Sequence, residues 1–143
     1  MDNLSRKGYL IDGAGELCRK LYGRVRMYIV TNGVEYIQKR RYAESGIAVY
    51  FSDAFISGVI GSEKPSRDYF DYVASHIPDF DIGKTLIVGD SLTSDIAGGI
   101  AYGLDTCWFN PKHKEKPSDM DITFVTDNYR EIYRIITGES ENF

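Results

Sequence analysis

Two carboxylates five residues apart, Asp90 and Asp95, stand in the stretch Thr85-Leu-Ile-Val-Gly-Asp-Ser-Leu-Thr-Ser-Asp95. Thr85 to Val88 read as a short buried strand. Gly89 then lets the backbone turn, and Asp90 sits where the strand ends. Asp95 follows near the start of the next apolar-periodic run. Carboxylates, waters and substrate phosphate are the oxygen ligands that Mg²⁺ prefers. In open α/β sheets, ligands bind outside the carboxyl ends of the strands. A plainer reading is that Asp90 turns the chain and Asp95 caps a helix, since Asp is favoured in both places. The stretch alone does not separate the two, so the other strand ends must decide.

Met27 to Thr31 is a continuous apolar run of strand length, followed at once by the turn pair Asn32-Gly33. The Thr31 hydroxyl and the Asn32 and Gly33 N–H groups open toward a helix N-terminus, where an anion fits. Alone this is an ordinary strand-to-helix turn. Lys64 ends the loop Gly61-Ser-Glu-Lys64 and brings a positive charge; alone it reads as a solvated lysine. At about 4 Å and an effective dielectric near 20, one charge pair is worth on the order of 4 kcal/mol before desolvation. If these strand ends share one rim, Thr31, Asn32, Gly33 and Lys64 hold an anion, and Asp90 and Asp95 hold a cation. Together they make a Mg²⁺-assisted phosphate site.

The elements that must position these residues alternate along the chain. Ala14, Leu17, Cys18 and Leu21 stripe a helix that starts at Asp12 or Gly13 and ends at Gly23. The Met27 strand and a helix over Val34 to Ser45, closed by Gly46, follow. Asp53 to Gly58 reads as a strand, and Pro65 suits the first position of a third helix with Tyr69, Phe70, Val73, Ala74 and Ile77 on its buried face. After the Thr85 strand, Ile96, Ala97, Ile100 and Ala101 stripe a fourth helix closed by Gly103. Asp105 to Phe109 is a strand, Asn110 to Asp121 a polar loop, and Ile122 to Thr126 a last strand. Tyr129, Ile132, Tyr133 and Ile136 stripe a final helix ending at Gly138. Strands alternating with helices predict an α/β fold: a Rossmann-like parallel sheet with helices on both faces. With no repeat or linker in view, residues 1–143 read as one domain with a frayed tail over 139–143.

The totals narrow the classes. A chain of 143 residues with 43% hydrophobic and 27% charged residues can bury an ordinary core. A net charge of −4 gives no electrostatic case for nucleic acid or an anionic membrane. No apolar run approaches the roughly 20 residues that span a bilayer. Met1 to Lys7 has no apolar core behind its charges, so it does not read as a secretory signal. Cys18 and Cys107 lie in different elements without CxxC spacing, which suggests reduced, buried thiols and a cytoplasmic location. His76 and His113 are too scattered for a zinc site. The 11 tyrosines fall mostly on helix stripes without a basic groove, so they read as core edge and not as a base-stacking platform.

The order Thr31-Asn32-Gly33, Lys64-Pro65, then Gly89-Asp90 with Asp95 resembles the haloacid dehalogenase-like hydrolase superfamily over about Asp12 to Ile136. Cys107-Trp108-Phe109-Asn110-Pro111 and the loop to Asp121-Ile122 are similar to its pyrimidine or house-cleaning 5′-nucleotidase branch. The resemblance implies that Thr31 and Asn32 bind a transferring phosphoryl group and that Lys64 neutralises it. It also implies that Asp90 ligates Mg²⁺ and that Asp95 supports the metal directly or through water. The partner is then a phosphorylated small molecule.

The family's first motif, a strand ending in Asp-x-Asp that supplies the nucleophile and the general acid/base, has no match before Thr31, and the helical cap is absent too. Asp119-Met-Asp-Ile-Thr123 spells the pattern, but polar residues precede it and its strand follows it, the reverse of what a strand-end nucleophile needs. The chain therefore resembles the C-terminal part of a family member. The missing strand belongs between the Met27 and Thr85 strands, so either those two pair directly or two edges stay open. An open apolar edge is a template for another chain, which suggests self-association or a complementary N-terminal piece. The expectation is weak Mg²⁺ binding and no activity from this chain alone, the intact form being a phosphatase-type hydrolase. The alternatives are a non-catalytic phosphate- or partner-binding remnant and a phospho-receiver domain, whose acid, Thr and Lys come in a different order.

Overall fold

The computed structural model describes residues 14–32 and 48–139. Asp12, Gly33, the expected helix from Val34 to Ser45 and the last four residues lie outside the described residues. Among the described residues, five short strands form two groups. β1 (Tyr28–Thr31) pairs in parallel with β2 (Asp53–Ile56), Val30 opposite Phe55. β3 (Leu86–Gly89), β4 (Asp105–Phe109) and β5 (Phe124–Thr126) pair in parallel in that order, Val88 opposite Cys107 and Trp108 opposite Val125. The helices are α1 (Ala14–Leu21), α2 (Ser57–Ile60), α3 (Arg67–Ser75), α4 (Ala97–Tyr102) and α5 (Tyr129–Thr137).

Strand alternation distributes the core to two faces. On one face, Leu17 and Leu21 of α1 and Ile132 and Tyr133 of α5 cover Val88, Cys107 and Phe109. On the other, Tyr69, Phe70 and Val73 of α3 cover Val30, Phe55 and Ile87. The architecture is thus parallel α/β with helices on both faces. The sheet is divided, however: among the described residues β1 and β3 are not hydrogen-bonded to each other. Of the two outcomes foreseen for the middle of the sheet, direct pairing of β1 with β3 is not seen among the described residues.

Several boundaries differ from the sequence expectation. β2 stops at Ile56, and Ser57–Ile60 turn helical instead of extending the strand to Gly58. β5 begins at Phe124, two residues later than Ile122. The third helix starts at Arg67, not at Pro65, because the Ser66 hydroxyl accepts a hydrogen bond from the Asp68 N–H at 3.2 Å and so caps it. The Lys64–Pro65 bond is cis.

Gly89 is the last strand residue, not a turn. A β-carbon there would lie 2.6 Å from Asp95 Cγ, so the glycine is needed for close approach. The next helix opens with a wide π-helical turn, Leu92–Ile96, capped by the Ser91 hydroxyl, which accepts from the Ser94 N–H. Its buried side is Asp95, Ile96, Gly98 and Gly99, whereas Ala101 of the expected stripe is exposed. A β-carbon at Gly99 would meet Ile87 Cγ2 at 2.6 Å and Thr106 Cγ2 at 2.9 Å. Glycine therefore lets α4 lie directly on β3 and β4, which a stripe of larger side chains would prevent.

Candidate functional site

The carboxyl ends of β1 and β3 are joined by one side chain. Lys64 Nζ donates to the Val30 carbonyl at 3.0 Å and to Asp95 Oδ1 at 2.5 Å. It thus ties the end of β1 to the turn that follows β3. Both side chains are fully buried. Asn32, just past β1, holds the lysine's backbone: its Nδ2 donates to the Lys64 carbonyl at 3.0 Å and its Oδ1 accepts from the Lys64 N–H at 2.9 Å. The three stretches expected on one rim are therefore brought together at Asn32, Lys64 and Asp95, and Asp90 follows β3 directly.

Each site residue has an identifiable support. Thr31 is buried; its N–H donates to the Tyr69 hydroxyl at 3.1 Å, and that hydroxyl donates to the Phe55 carbonyl at 2.5 Å. The Thr31 hydroxyl reaches the Asn32 carbonyl only at 3.4 Å, a long bond. Asp90 is half-buried, and its carbonyl accepts from the indole Nε1 of buried Trp108 at 3.2 Å. Gly33 lies outside the described residues.

Lys64 and Asp95 form a buried ion pair at the rim. A buried ion pair returns its desolvation cost only when its geometry and remaining hydrogen bonds are good, and losing one partner strands the other.

The donor set can be weighed against Mg²⁺. Among the described residues no three His, Cys, Asp or Glu side chains cluster as a ready-made metal cage. Mg²⁺ is commonly held by one or two carboxylates with waters and substrate phosphate. Asp90 fits that role. Asp95 gives one oxygen to Lys64, which makes it the lysine's anchor in this structure.

Sequence reasoning missed three residues. Tyr69 reads in the sequence only as part of a helix stripe, yet its hydroxyl bridges β1 and β2 beside Thr31. Trp108, the chain's one tryptophan, fixes the Asp90 backbone; the register that sets it opposite Gly89 could have suggested this. Tyr129 stacks on Phe109, and its buried hydroxyl has no hydrogen-bond partner among the described residues. Burial first, then the nearby Cys18 and Asp90 charges, push its pKa up to about 12. Asp119 and Asp121 are exposed and precede β5, which runs parallel to β4.

Comparison with known proteins matches this arrangement. The family profile for haloacid dehalogenase-like hydrolases matches residues 3–103. HAD-hydrolase YfnB of Bacillus subtilis is 44% identical over 131 residues, covering 92% of this chain and 56% of that protein. Pyrimidine 5′-nucleotidase PynA of Streptococcus pneumoniae is 37% identical over 130 residues, covering 90% of this chain and 55% of that protein. The crystal structure of YfnB, bound to magnesium, superposes with a TM-score of 0.87 over 90% of this chain and 56% of that chain. The chain thus spans about half the length of the curated relatives it matches. Its strand-end residues, parallel half-sheets and these likenesses agree: the chain belongs to the haloacid dehalogenase-like hydrolases.

Proposed function

We propose that the rim is the phosphoryl- and metal-binding part of a Mg²⁺-dependent phosphomonoesterase site, and that this chain alone binds the phosphoryl group without turning it over. The observation that carries the reading is the convergence of Asn32, Lys64 and Asp95, with Asp90 at the end of β3. Thr31, Asn32 and Gly33 would contact the phosphoryl oxygens. Lys64 would supply positive charge from beneath, held in place by Asp95. Asp90 would hold Mg²⁺, which when bound supplies the Lewis acid charge that a dianion needs. Phosphate monoester hydrolysis is among the slowest uncatalysed reactions, and the described residues set no second carboxylate at the rim in a position to attack. The names of the relatives make nucleoside 5′-monophosphates the first substrate class to assay in a longer form of the protein. Two buried free thiols and the absence of a membrane-spanning helix among the described residues accord with a cytoplasmic setting.

The test is orthophosphate binding, followed by the fluorescence of Trp108, whose indole is bonded to Asp90. Orthophosphate with Mg²⁺ is expected to give a saturable change, and either one alone a far weaker one. Asp90→Asn is expected to abolish the Mg²⁺ dependence. Equal phosphate binding with and without Mg²⁺ would overturn the proposal.

A further inference from the structure

The loop that leaves the carboxyl end of β4, residues 111–117, is cationic on an acidic molecule. It carries Lys112, Lys114 and Lys116 against Glu115, in a chain of net charge −4. All three lysines are exposed, and none forms an ion pair among the described residues. The loop is tied down at its base by buried Asn110. The Asn110 Oδ1 accepts from the Lys114 N–H at 3.0 Å, its Nδ2 donates to the Lys114 carbonyl at 2.9 Å, and its own N–H donates to the Thr126 carbonyl at 2.7 Å. A second tie is His113, whose Nε2 lies 2.7 Å from Asp127 Oδ2. We propose that this loop binds a second phosphate of the substrate, so that the site prefers small bisphosphates to monophosphates of the same skeleton; the proposal rests on the phosphoryl reading of the rim.

The register sets the loop beside the rim. Gly89 stands opposite Trp108, so Asp90 follows opposite Phe109, about 5 Å away across one strand spacing. Lys112 is three residues past Phe109 and therefore at most about 11 Å from it. Lys114 is folded back by the Asn110 clamp onto the base of the loop. Exposed charges act over a Debye length of about 8–10 Å, so these ammonium groups bear on a ligand at the rim, and the four-carbon stem of each lysine extends its reach. Local acids do not consume them. Asp127 is engaged at both oxygens, Oδ2 by His113 and Oδ1 by Asn128 at 2.8 Å, and Glu115 is the only acid inside the loop, with Asp119 and Asp121 following it. Lys64 does not serve this purpose, because it is buried and bonded to Val30 and Asp95. Lysine binds phosphate as a point charge, and a cluster of one sign concentrates the opposite ion near it.

The test titrates the whole chain with fructose 6-phosphate and with fructose 1,6-bisphosphate at equal free Mg²⁺, read by Trp108 fluorescence. The same titrations are made on the triple variant Lys112→Gln, Lys114→Gln, Lys116→Gln. Its fold should be intact, because the three side chains are exposed and the Asn110 clamp uses only the backbone of Lys114. The native chain is expected to bind the bisphosphate at least about tenfold more tightly than the monophosphate, and added salt to shrink that preference. In the variant the preference should fall to about twofold, the statistical advantage of two phosphates, with fructose 6-phosphate affinity unchanged. A preference no greater in the native chain than in the variant would overturn the loop's role while leaving the phosphoryl reading of the rim in place. No response to either ester would overturn that reading and the loop's role with it.

Discussion

Lys64 and Asp95 are held together where neither touches water, and this fixes what each can do. Removing the ammonium leaves a buried carboxylate beside Gly89. Lys64→Met is therefore expected to lower stability by about 3–5 kcal/mol, and Lys64→Met with Asp95→Leu to recover much of that loss. Urea unfolding of the two single variants and the double variant reads the coupling, and simple additivity would mean that the pair is not coupled. The thiols make a second prediction at this scale. Burial raises Cys107 to about 12, assisted by the Glu131 charge, and Cys18 to about 11. In the unfolded chain a thiol ionises near its ordinary value of about 8.5. Between that value and the native ones the folded state holds the extra protons, so stability falls as pH rises through this window. Unfolding midpoints at pH 7 and pH 10 measure the fall, which should be smaller in Cys107→Ala. Thiol reagents should label neither residue in the native protein at neutral pH and both after unfolding.

At the scale of elements, what local sequence controls was legible, and what depends on distant partners was not. β4 occupies Asp105–Phe109 as its apolar run indicates, and α5 ends at Gly138. The glycine face of α4 was hidden, because periodicity counts apolar side chains and a glycine contributes none. Gly99→Ala should cost about 1–3 kcal/mol in thermal or urea unfolding, since Ile87 and Thr106 must move. The rim was legible as a set of strand ends, yet the pairing of Lys64 with Asp95 was not, because 31 residues separate them and spacing reveals only local geometry. The same holds for the Asn32 clamp on Lys64. Asn32→Ala leaves two Lys64 backbone groups without those bonds. It should cost about 1–3 kcal/mol and speed amide exchange across residues 62–66. Unchanged exchange there would show that the clamp does not hold the loop.

At the scale of the molecule, Lys64 bridges the two half-sheets at the rim. On the proposed reading the rim binds a phosphoryl group with Mg²⁺ and, among the described residues, offers no attacking carboxylate. The direct measurement is release of p-nitrophenol from p-nitrophenyl phosphate by this chain, with and without Mg²⁺, beside Asp90→Asn. No release above that variant is expected at any Mg²⁺ concentration. Release that requires both Mg²⁺ and Asp90 would contradict it, by showing that the chain supplies the attacking group itself.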